Sequence, residues 1–530
     1  MADSRMGAAA KPLVSPAACA MLAALSACKV GPNFERPPSP VAEHWIGEPP
    51  GSAAEPTAMA DWWKLFNDAT LDRLIDVAYH NNLSLQVAAA RILQAQAQLN
   101  VSIGELFPQQ QALGGQVQRE RQAASTLLLP GQNPILDTSQ IGFSASWELD
   151  FWGKYRRGIE ADRAAMLASV AAYDSGLVSL TAGVASTYFN ILVLEQRIQV
   201  IEENVKTQQE SLRIAQAQFE AGETSQLDVE QAETQLAQTE AQTPGLESSL
   251  RSAKDSLAVL LGVTPDAVDA MLGPTTPIPG APGTVATGMP KDLLRRRPDV
   301  RQAELTAAAQ SAAIGVAKAN LFPAFSLTGS FGFAGTNLRG NSTSDLFNWD
   351  NRAAAAGASF VFPIFNYGRI VNSVRVQDAI FLQAVLSYQN TVLQAEQEVE
   401  DAREAFAAAQ ATLATLIEAA NSARRTTELA VVRYKEGAAD YTTVLTAQQL
   451  QLQIEDALAS ARGGVPLALV SVYRALGGGW ELREGKQLLP EDTRREMERR
   501  TNWGHLPDSG AELPTTEESA AQPPGSADAH

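Results

Sequence analysis

The chain has 530 residues, of which 45 % are hydrophobic, and it carries a formal net charge of -18. That hydrophobic share excludes a wholly disordered chain. The acidic balance argues against a nucleic-acid partner, because phosphate binding needs a concentrated positive surface. The four histidines are scattered and mostly terminal, so they identify no metal-binding cluster.

Residues 1–27 have the layout of a secretory signal. A basic start precedes the apolar stretch PLVSPAACAMLAAL, which is too short to span a membrane. Leu25-Ser26-Ala27-Cys28 follows directly and resembles the lipobox of bacterial lipoproteins, in which the cysteine is acylated and begins the mature chain. We therefore predict lipidation of Cys28. The alternative is an ordinary cleavage site with an incidental cysteine, and Met6 is an alternative start to Met1.

Beyond this segment the chain repeats itself. The motif LFP occurs at residues 106–108 and again at 321–323, and three further matches share the same separation of 215 residues. They are Trp152-Gly153 with Tyr367-Gly368, FEAG at 219–222 with YKEG at 434–437, and Leu261-Gly262 with Leu476-Gly477. Four anchors without a net insertion indicate a tandem duplication.

Each repeat contains two strand-like segments after its LFP motif. The segment IGFSASWELDF alternates apolar and small or polar residues, which is the period of a β-strand. Polar loops separate the strands of each pair, so each pair is predicted to form a hairpin. Pro108 and Pro323 mark the change from helix to strand, and Gly153 and Gly368 mark the return to helix. The predicted strands are about 109–120, 139–151, 324–334 and 353–365.

A very long helix follows each hairpin. Residues 369–436 contain neither Gly nor Pro, and a continuous helix of that length would be ~100 Å long. In repeat 1, apolar residues at four- and three-residue steps from Leu194 to Phe219 are interrupted only by Gln208, which predicts coiled-coil packing. Gly222 and Gly437 are predicted to end the long helices as left-handed caps, before helices that return to 262 and 477.

The strands have the length and alternation of membrane-spanning β-strands. Four strands cannot close a barrel, since about eight are needed, and open edges in lipid cost several kcal/mol per unpaired group. We therefore predict that three copies of the chain form one barrel of twelve strands, with the apolar faces toward lipid. The small polar residues predicted to face the lumen include Ser144, Ser146, Ser326 and Thr328.

These features resemble the TolC-like outer-membrane efflux proteins, in the lipoprotein (NodT-type) branch paired with resistance-nodulation-division pumps. The resemblance rests on CKVGPNFERP at 28–37, the two LFP motifs, WELDFWGK, RRRPDVRQAE at 295–304 and RYKEGAADYTTVLTAQQ. It implies an α+β membrane protein with tandem-duplicated long-helix coiled coils and two β-hairpins. Three copies would form a twelve-stranded β-barrel in the bacterial outer membrane, on an α-helical periplasmic barrel.

The resemblance also implies a division of the chain. The expected segments are a signal peptide at 1–27, an N-terminal equatorial segment at 28–63, repeat 1 at 64–262, an inter-repeat equatorial segment at 263–290, repeat 2 at 291–477, and a C-terminal equatorial segment with a disordered acidic tail at 478–530. The implied partners are a periplasmic adaptor, an inner-membrane pump and outer-membrane lipid. Neither catalysis nor a cofactor is implied.

In this family the periplasmic mouth is closed at rest by bonds between neighbouring helices. The matching positions here are Asp228, Arg433 and Tyr434, whereas Thr442 and Thr446 stand where the family often has Leu and Asp. An alternative remains open, because Ser225 and Asp228 have the spacing of a capping box, in which Asp228 would only satisfy amides at a helix start.

The function that follows is passive exit of drugs, dyes, solvents or metals through the outer membrane. Two alternatives are an outer-membrane channel for protein secretion and a structural coiled-coil lipoprotein, the second of which the four alternating strands disfavour. An enzyme is disfavoured because the sequence has no P-loop and no G-x-S-x-G motif.

Overall fold

The structure is a computed structural model that describes residues 29–39, 41–42, 45–46, 59–121, 123, 135–282, 296–337 and 343–503. Cys28 and the signal segment lie outside the described residues. The helices are α1 Ala69–Asn81, α2 Leu83–Gly104, α3 Lys154–Glu220, α4 Gln226–Glu240, α5 Thr243–Leu261, α6 Pro265–Leu272, α7 Pro298–Ala319, α8 Arg369–Lys435, α9 Tyr441–Ala475 and α10 Glu491–Arg500. The strands are β1 Gln110–Arg121, β2 Ile135–Leu149, β3 Ala324–Thr336 and β4 Arg352–Val361.

The chain divides into two compact units, and each contains parts of both repeats. The strand unit is built mainly from Gln94–Met166 and Glu304–Leu386. The helical unit is built mainly from Leu167–Ala303 and the residues that follow Ser387. The duplication therefore does not produce one separate unit for each repeat.

The four strands form one antiparallel sheet in the order β1-β2-β3-β4. The predicted hairpins are β1–β2 and β3–β4, and β2 also pairs with β3, which joins the two repeats in a single sheet. Phe143 lies opposite Leu113 on one side and Phe331 on the other, so large apolar residues share a face. Ser146 pairs with Thr328 on the opposite face.

The edge strands β1 and β4 are exposed along their whole length. Strand β4 is shorter than the sequence suggests, because Pro363 follows it and proline lacks the N–H that strand pairing needs. Strand β2 begins at Ile135, earlier than the alternating pattern alone indicates, and Ile135 pairs with Arg121. Among the described residues β1 and β4 pair with no further strand, so the sheet is open at these two edges.

The long helices α3 and α8 each have 67 residues and end in the same kind of turn. Gly222 has φ 77° and Gly437 has φ 67°, in the left-handed region that favours glycine. In each turn the next residue donates its N–H five residues back, from Glu223 to Gln218 and from Ala438 to Arg433. These are Schellman caps, which satisfy carbonyl groups left free at a helix end.

Helix α3 is also apolar over part of its length. Among the described residues it is the one helix with the length and composition of a membrane span, but 72 % of its apolar window is buried inside the chain. Core helices of this kind pass the same test of length and composition. The burial of α3 is that of a packed core helix.

The core of the helical unit includes aromatic residues and a buried ion pair. Trp62 stacks on Tyr473 with ring centroids 5.5 Å apart. On α3, Asp174 accepts a hydrogen bond of 2.6 Å from Nε of Arg483, and both side chains are almost fully buried. The segment after α9 is therefore held against α3 by charge as well as by packing.

Candidate functional site

The two turns at Gly222 and Gly437, with the helix ends beside them, are called the helix tips. The side-chain amide of Gln218 donates to the backbone carbonyl of Tyr434 at 3.1 Å, so the tips of the two repeats are in contact. Tyr434 also donates its hydroxyl to the carboxylate of Asp228 at 3.3 Å. The hydroxyl of Thr224 is a second donor to the same carboxylate oxygen.

Tyr434 lies inside the tips rather than on their surface. Its ring meets that of Tyr441 edge to face, with centroids 5.3 Å apart, within an apolar cluster that includes Ile214 and Val444. Burial raises the pKa of Tyr434 above its ordinary value and raises the pKa of Tyr441 to about 12. A phenol is already protonated at neutral pH, and the raised pKa moves its titration further from this range, so Tyr434 donates to Asp228 as a neutral phenol.

Asp228 does not form the capping box that its spacing from Ser225 suggested. Ser225 occupies the N-cap of α4, but its side chain makes no capping hydrogen bond. The carboxylate of Asp228 instead accepts hydrogen bonds from the hydroxyl groups of Thr224 and Tyr434. In this structure Asp228 links the tips of the two repeats.

The structure does not bring Arg433 to Asp228. Arg433 is exposed, and its guanidinium donates to the backbone carbonyl of Ala438 at 3.3 Å, across its own turn. Thr442 and Thr446 are exposed one helical turn apart at the start of α9, and the hydroxyl of Thr446 donates to the carbonyl of Thr442. They form a small, uncharged surface beside the tips.

A set of buried polar residues follows the tips along the helices and is called the polar layer: Asn204, Gln208, Ser211, Gln448 and Glu455. Asn204 donates to Glu455 at 2.7 Å, and Gln448 donates to Ser211 at 2.7 Å. Gln208 is 2 % exposed, and within the described residues neither its amide nitrogen nor its amide oxygen has a hydrogen-bond partner. Sequence reasoning marked only Gln208, as a break in the apolar series.

The transitions from strand to long helix share a glycine with a left-handed backbone in both repeats. Gly153 and Gly368 have φ 74° and 80°, each directly before a long helix. A β-carbon on Gly153 would lie 3.1 Å from the backbone of Lys29, so a larger residue would crowd that segment. The carbonyl of Pro323 accepts a hydrogen bond of 2.8 Å from the indole of Trp152, whereas the carbonyl of Pro108 accepts one of 3.4 Å from the side-chain amide of Gln111.

Comparison with known proteins identifies the family. The chain matches the outer membrane efflux protein family over residues 74–263 and 289–478, two segments with the same offset as the sequence anchors. It is 30 % identical to outer membrane protein OprJ of Pseudomonas aeruginosa, covering 90 % of this chain and 98 % of that protein. Nodulation protein T of Rhizobium leguminosarum bv. viciae is 31 % identical, with 86 % and 92 % covered.

A solved structure of the outer-membrane channel OprN has 31 % sequence identity and a TM-score of 0.79, and it covers 86 % of this chain and all of that one. The predicted fold class and the predicted role in efflux are thus confirmed, and the family is one of channels rather than enzymes. The chain belongs to the outer membrane efflux protein family and is an outer-membrane channel component of an efflux system.

Proposed function

We propose that three copies of the chain form one channel, which serves as the exit duct of a tripartite pump with a periplasmic adaptor and a resistance-nodulation-division transporter. The observation that carries this proposal is the open sheet with two unpaired edges, β1 and β4. Unpaired backbone groups are costly in lipid, so edges must pair with another copy. Three copies supply twelve strands, enough to enclose a water-filled lumen.

The cargo of this duct is a small molecule that the pump selects. The lumen-facing side of the sheet carries small residues such as Ser144, Ser330 and Ala355, which are paired across β2, β3 and β4. Such a wall has no large or charged groups at these positions to bind a particular ligand. The channel therefore serves as a passage, and the transporter determines which drugs, dyes, solvents or metals are exported.

The helix tips form the periplasmic mouth, and the Tyr434–Asp228 hydrogen bond holds it narrow at rest. Three copies repeat this bond three times. At 3.3 Å each bond is long for a hydroxyl donor and contributes about 1 kcal/mol, so the set biases the closed state without locking it. The uncharged Thr442 and Thr446 line the opening, and Cys28 carries the lipid that tethers the N-terminus.

The assembly is tested by measuring the mass of the purified particle in detergent. We expect three chains per particle with β-structure intact. A stable monomer with full β content would contradict the proposed assembly. Co-purification from cells should retain an adaptor and an inner-membrane transporter.

The transport role is tested with a strain that lacks this chain. We expect greater susceptibility to a panel of drugs, dyes, solvents and metal ions, and restoration by the wild-type chain supplied from a plasmid. Unchanged susceptibility together with loss of a secreted protein would instead support the protein-secretion alternative.

A further inference from the structure

The aromatic residues are packed together at one helix–strand junction of the chain and exposed at the equivalent one. At the first junction, the indole of Trp152 from repeat 1 stacks on the ring of Phe322 from repeat 2, with centroids 4.6 Å apart and planes 24° apart. Its Nε1 donates to the carbonyl of Pro323 at 2.8 Å. Repeat 1 therefore docks on the LFP motif of repeat 2 through one aromatic residue.

The separation of 215 residues between the repeats identifies three residues equivalent to those of this contact. Trp152 corresponds to Tyr367, and Phe322 and Pro323 correspond to Phe107 and Pro108. In the single chain the corresponding contact is absent, since Tyr367 is 100 % exposed and Phe107 is 61 % exposed. The chain therefore makes this contact once. The residues equivalent to its two sides stay exposed, Phe107 beside edge strand β1 and Tyr367 beside edge strand β4.

The backbone at Tyr367 supports a role for this residue. Its φ of 48° lies in the left-handed region, which is uncommon for a large side chain other than in strained or functional positions. Its neighbours Phe362, Ile364 and Phe365 are also largely exposed. A contiguous apolar surface beside a sheet edge indicates an interaction site.

We propose that Tyr367 of one copy packs on Phe107 and Pro108 of the next copy, so that one aromatic contact recurs at every junction around the channel. The inference rests on the proposed assembly of three copies and identifies one of its contacts. In the chain, the Trp152–Phe322 contact adjoins the β2–β3 pairing. A β4–β1 pairing between copies would place Tyr367 beside Phe107 in the same way, with the phenol as the donor in place of the indole.

A second pair of positions favours a protein neighbour over lipid. Phe151 meets Phe325 edge to face across the first junction, with centroids 5.1 Å apart. The corresponding residues at the open junction are Asn366 and Gln110. Two amides can hydrogen-bond to each other, whereas in lipid they would remain unsatisfied. The open junction is therefore complementary to a second copy of the chain.

The test is cross-linking between introduced cysteines with a short bismaleimide. Cys19 and Cys28 are the only natural cysteines. The variant with Phe107→Cys and Tyr367→Cys should give linked dimers and trimers on a denaturing gel. Co-expression of the two single variants with different tags should give a dimer that carries both tags. Each single variant alone should give no ladder.

Two controls make the result decisive. The pair Trp152→Cys and Phe322→Cys reports the same spacing within one chain and should link at monomer mass. The pair Phe107→Cys and Phe360→Cys joins two exposed residues that the proposal does not bring together, and it should not link. In addition, Tyr367→Trp should preserve the thermal stability of the trimer, while Tyr367→Ala should lower it.

The outcomes separate this inference from the proposed function. If the particle contains three chains and the Trp152–Phe322 control links, but Phe107 and Tyr367 do not, the junction contact is wrong and the trimer stands. Labelling of Tyr367→Cys by a maleimide carried on a phospholipid would also overturn the contact, because it would place this position in lipid. A particle of one chain would overturn both.

Discussion

Tyr434 and Asp228, which come from the tips of different repeats, are joined by a hydrogen bond of 3.3 Å from the phenol to the carboxylate. The donor is buried, and burial raises its pKa further above neutral pH than that of an ordinary phenol. Opening the tips would require the carboxylate to exchange this donor for water. The bond is therefore a direct target for testing the closure of the channel.

We expect the double variant Arg433→Ala and Tyr434→Phe to raise single-channel conductance in planar bilayers while the yield of trimer stays unchanged. The Phe substitution removes the donor to Asp228, and the Ala substitution removes the bond of Arg433 to Ala438. Each lost hydrogen bond contributes about 1 kcal/mol. Tyr441→Phe is the matched control, since Tyr441 is buried in the same cluster. Wild-type conductance in the double variant would show that closure lies elsewhere.

Cys28→Ser should abolish labelling by a radioactive fatty acid but leave the trimer in the membrane fraction after a high-salt wash. Acyl chains contribute ~0.8 kcal/mol for each buried CH₂ group, whereas a closed barrel buries a whole apolar belt. Persistent labelling of the variant would refute the assignment of the lipid to Cys28. Release of the variant from the membrane would show that lipid, and not the strands, is the main anchor.

Gln208→Leu should raise the midpoint of thermal unfolding of the purified channel. A buried amide without partners costs roughly 1–3 kcal/mol, and leucine fills a similar volume without that cost. Gln209→Leu, at the exposed neighbouring position, is the control and should give no gain. A loss of stability in Gln208→Leu would indicate that ordered water satisfies the amide.

The Asp174–Arg483 pair should give a measurable pH dependence. Burial raises the pKa of Asp174 to about 6, against the opposing effect of Arg483. The folded chain therefore takes up a proton at pH values where the unfolded chain does not. The stability from this group is present below pH ~4, is lost as pH rises through about 6, and is constant above that.

Denaturant unfolding between pH 4 and pH 7 tests this expectation. Asp174→Asn should lack that part of the pH dependence, whereas Asp378→Asn, at an exposed site on α8, should retain it. Arg483→Met should cost about 3–5 kcal/mol at pH 7, because it leaves Asp174 buried without its partner. Identical pH profiles for the wild type and Asp174→Asn would show that Asp174 does not titrate in this range.

The architecture of the chain was predictable because several signals agreed. The equal spacing of the anchors indicated the duplication, and the alternation around Phe143 indicated strands. The run without Gly or Pro after Gly368 indicated the long helix α8. Each signal reflects the backbone geometry of one stretch of the chain, and the residues of that stretch are enough to determine it.

The inside of the helical unit was less predictable. The apolar series on α3 placed Val205 and Leu212 in the packed stripe, but the fully buried residues at these levels are Asn204 and Ser211. Their partners Glu455 and Gln448 come from α9, which is distant in sequence. Periodicity identifies an apolar face but cannot identify polar pairs that two helices bury together.

The pairing of β2 with β3 also constrains the order in which the parts of the chain can fold. Leu149 pairs with Phe325, and helices α3 to α7 all lie in the loop between them. Hairpins close in microseconds, whereas a pairing across so long a loop must wait until its ends have been brought together. We therefore expect helices and separate hairpins to form first, so that the chain passes through an intermediate whose apolar strand faces are still unjoined. The surface destined for lipid is then the part of the molecule most exposed to aggregation before assembly.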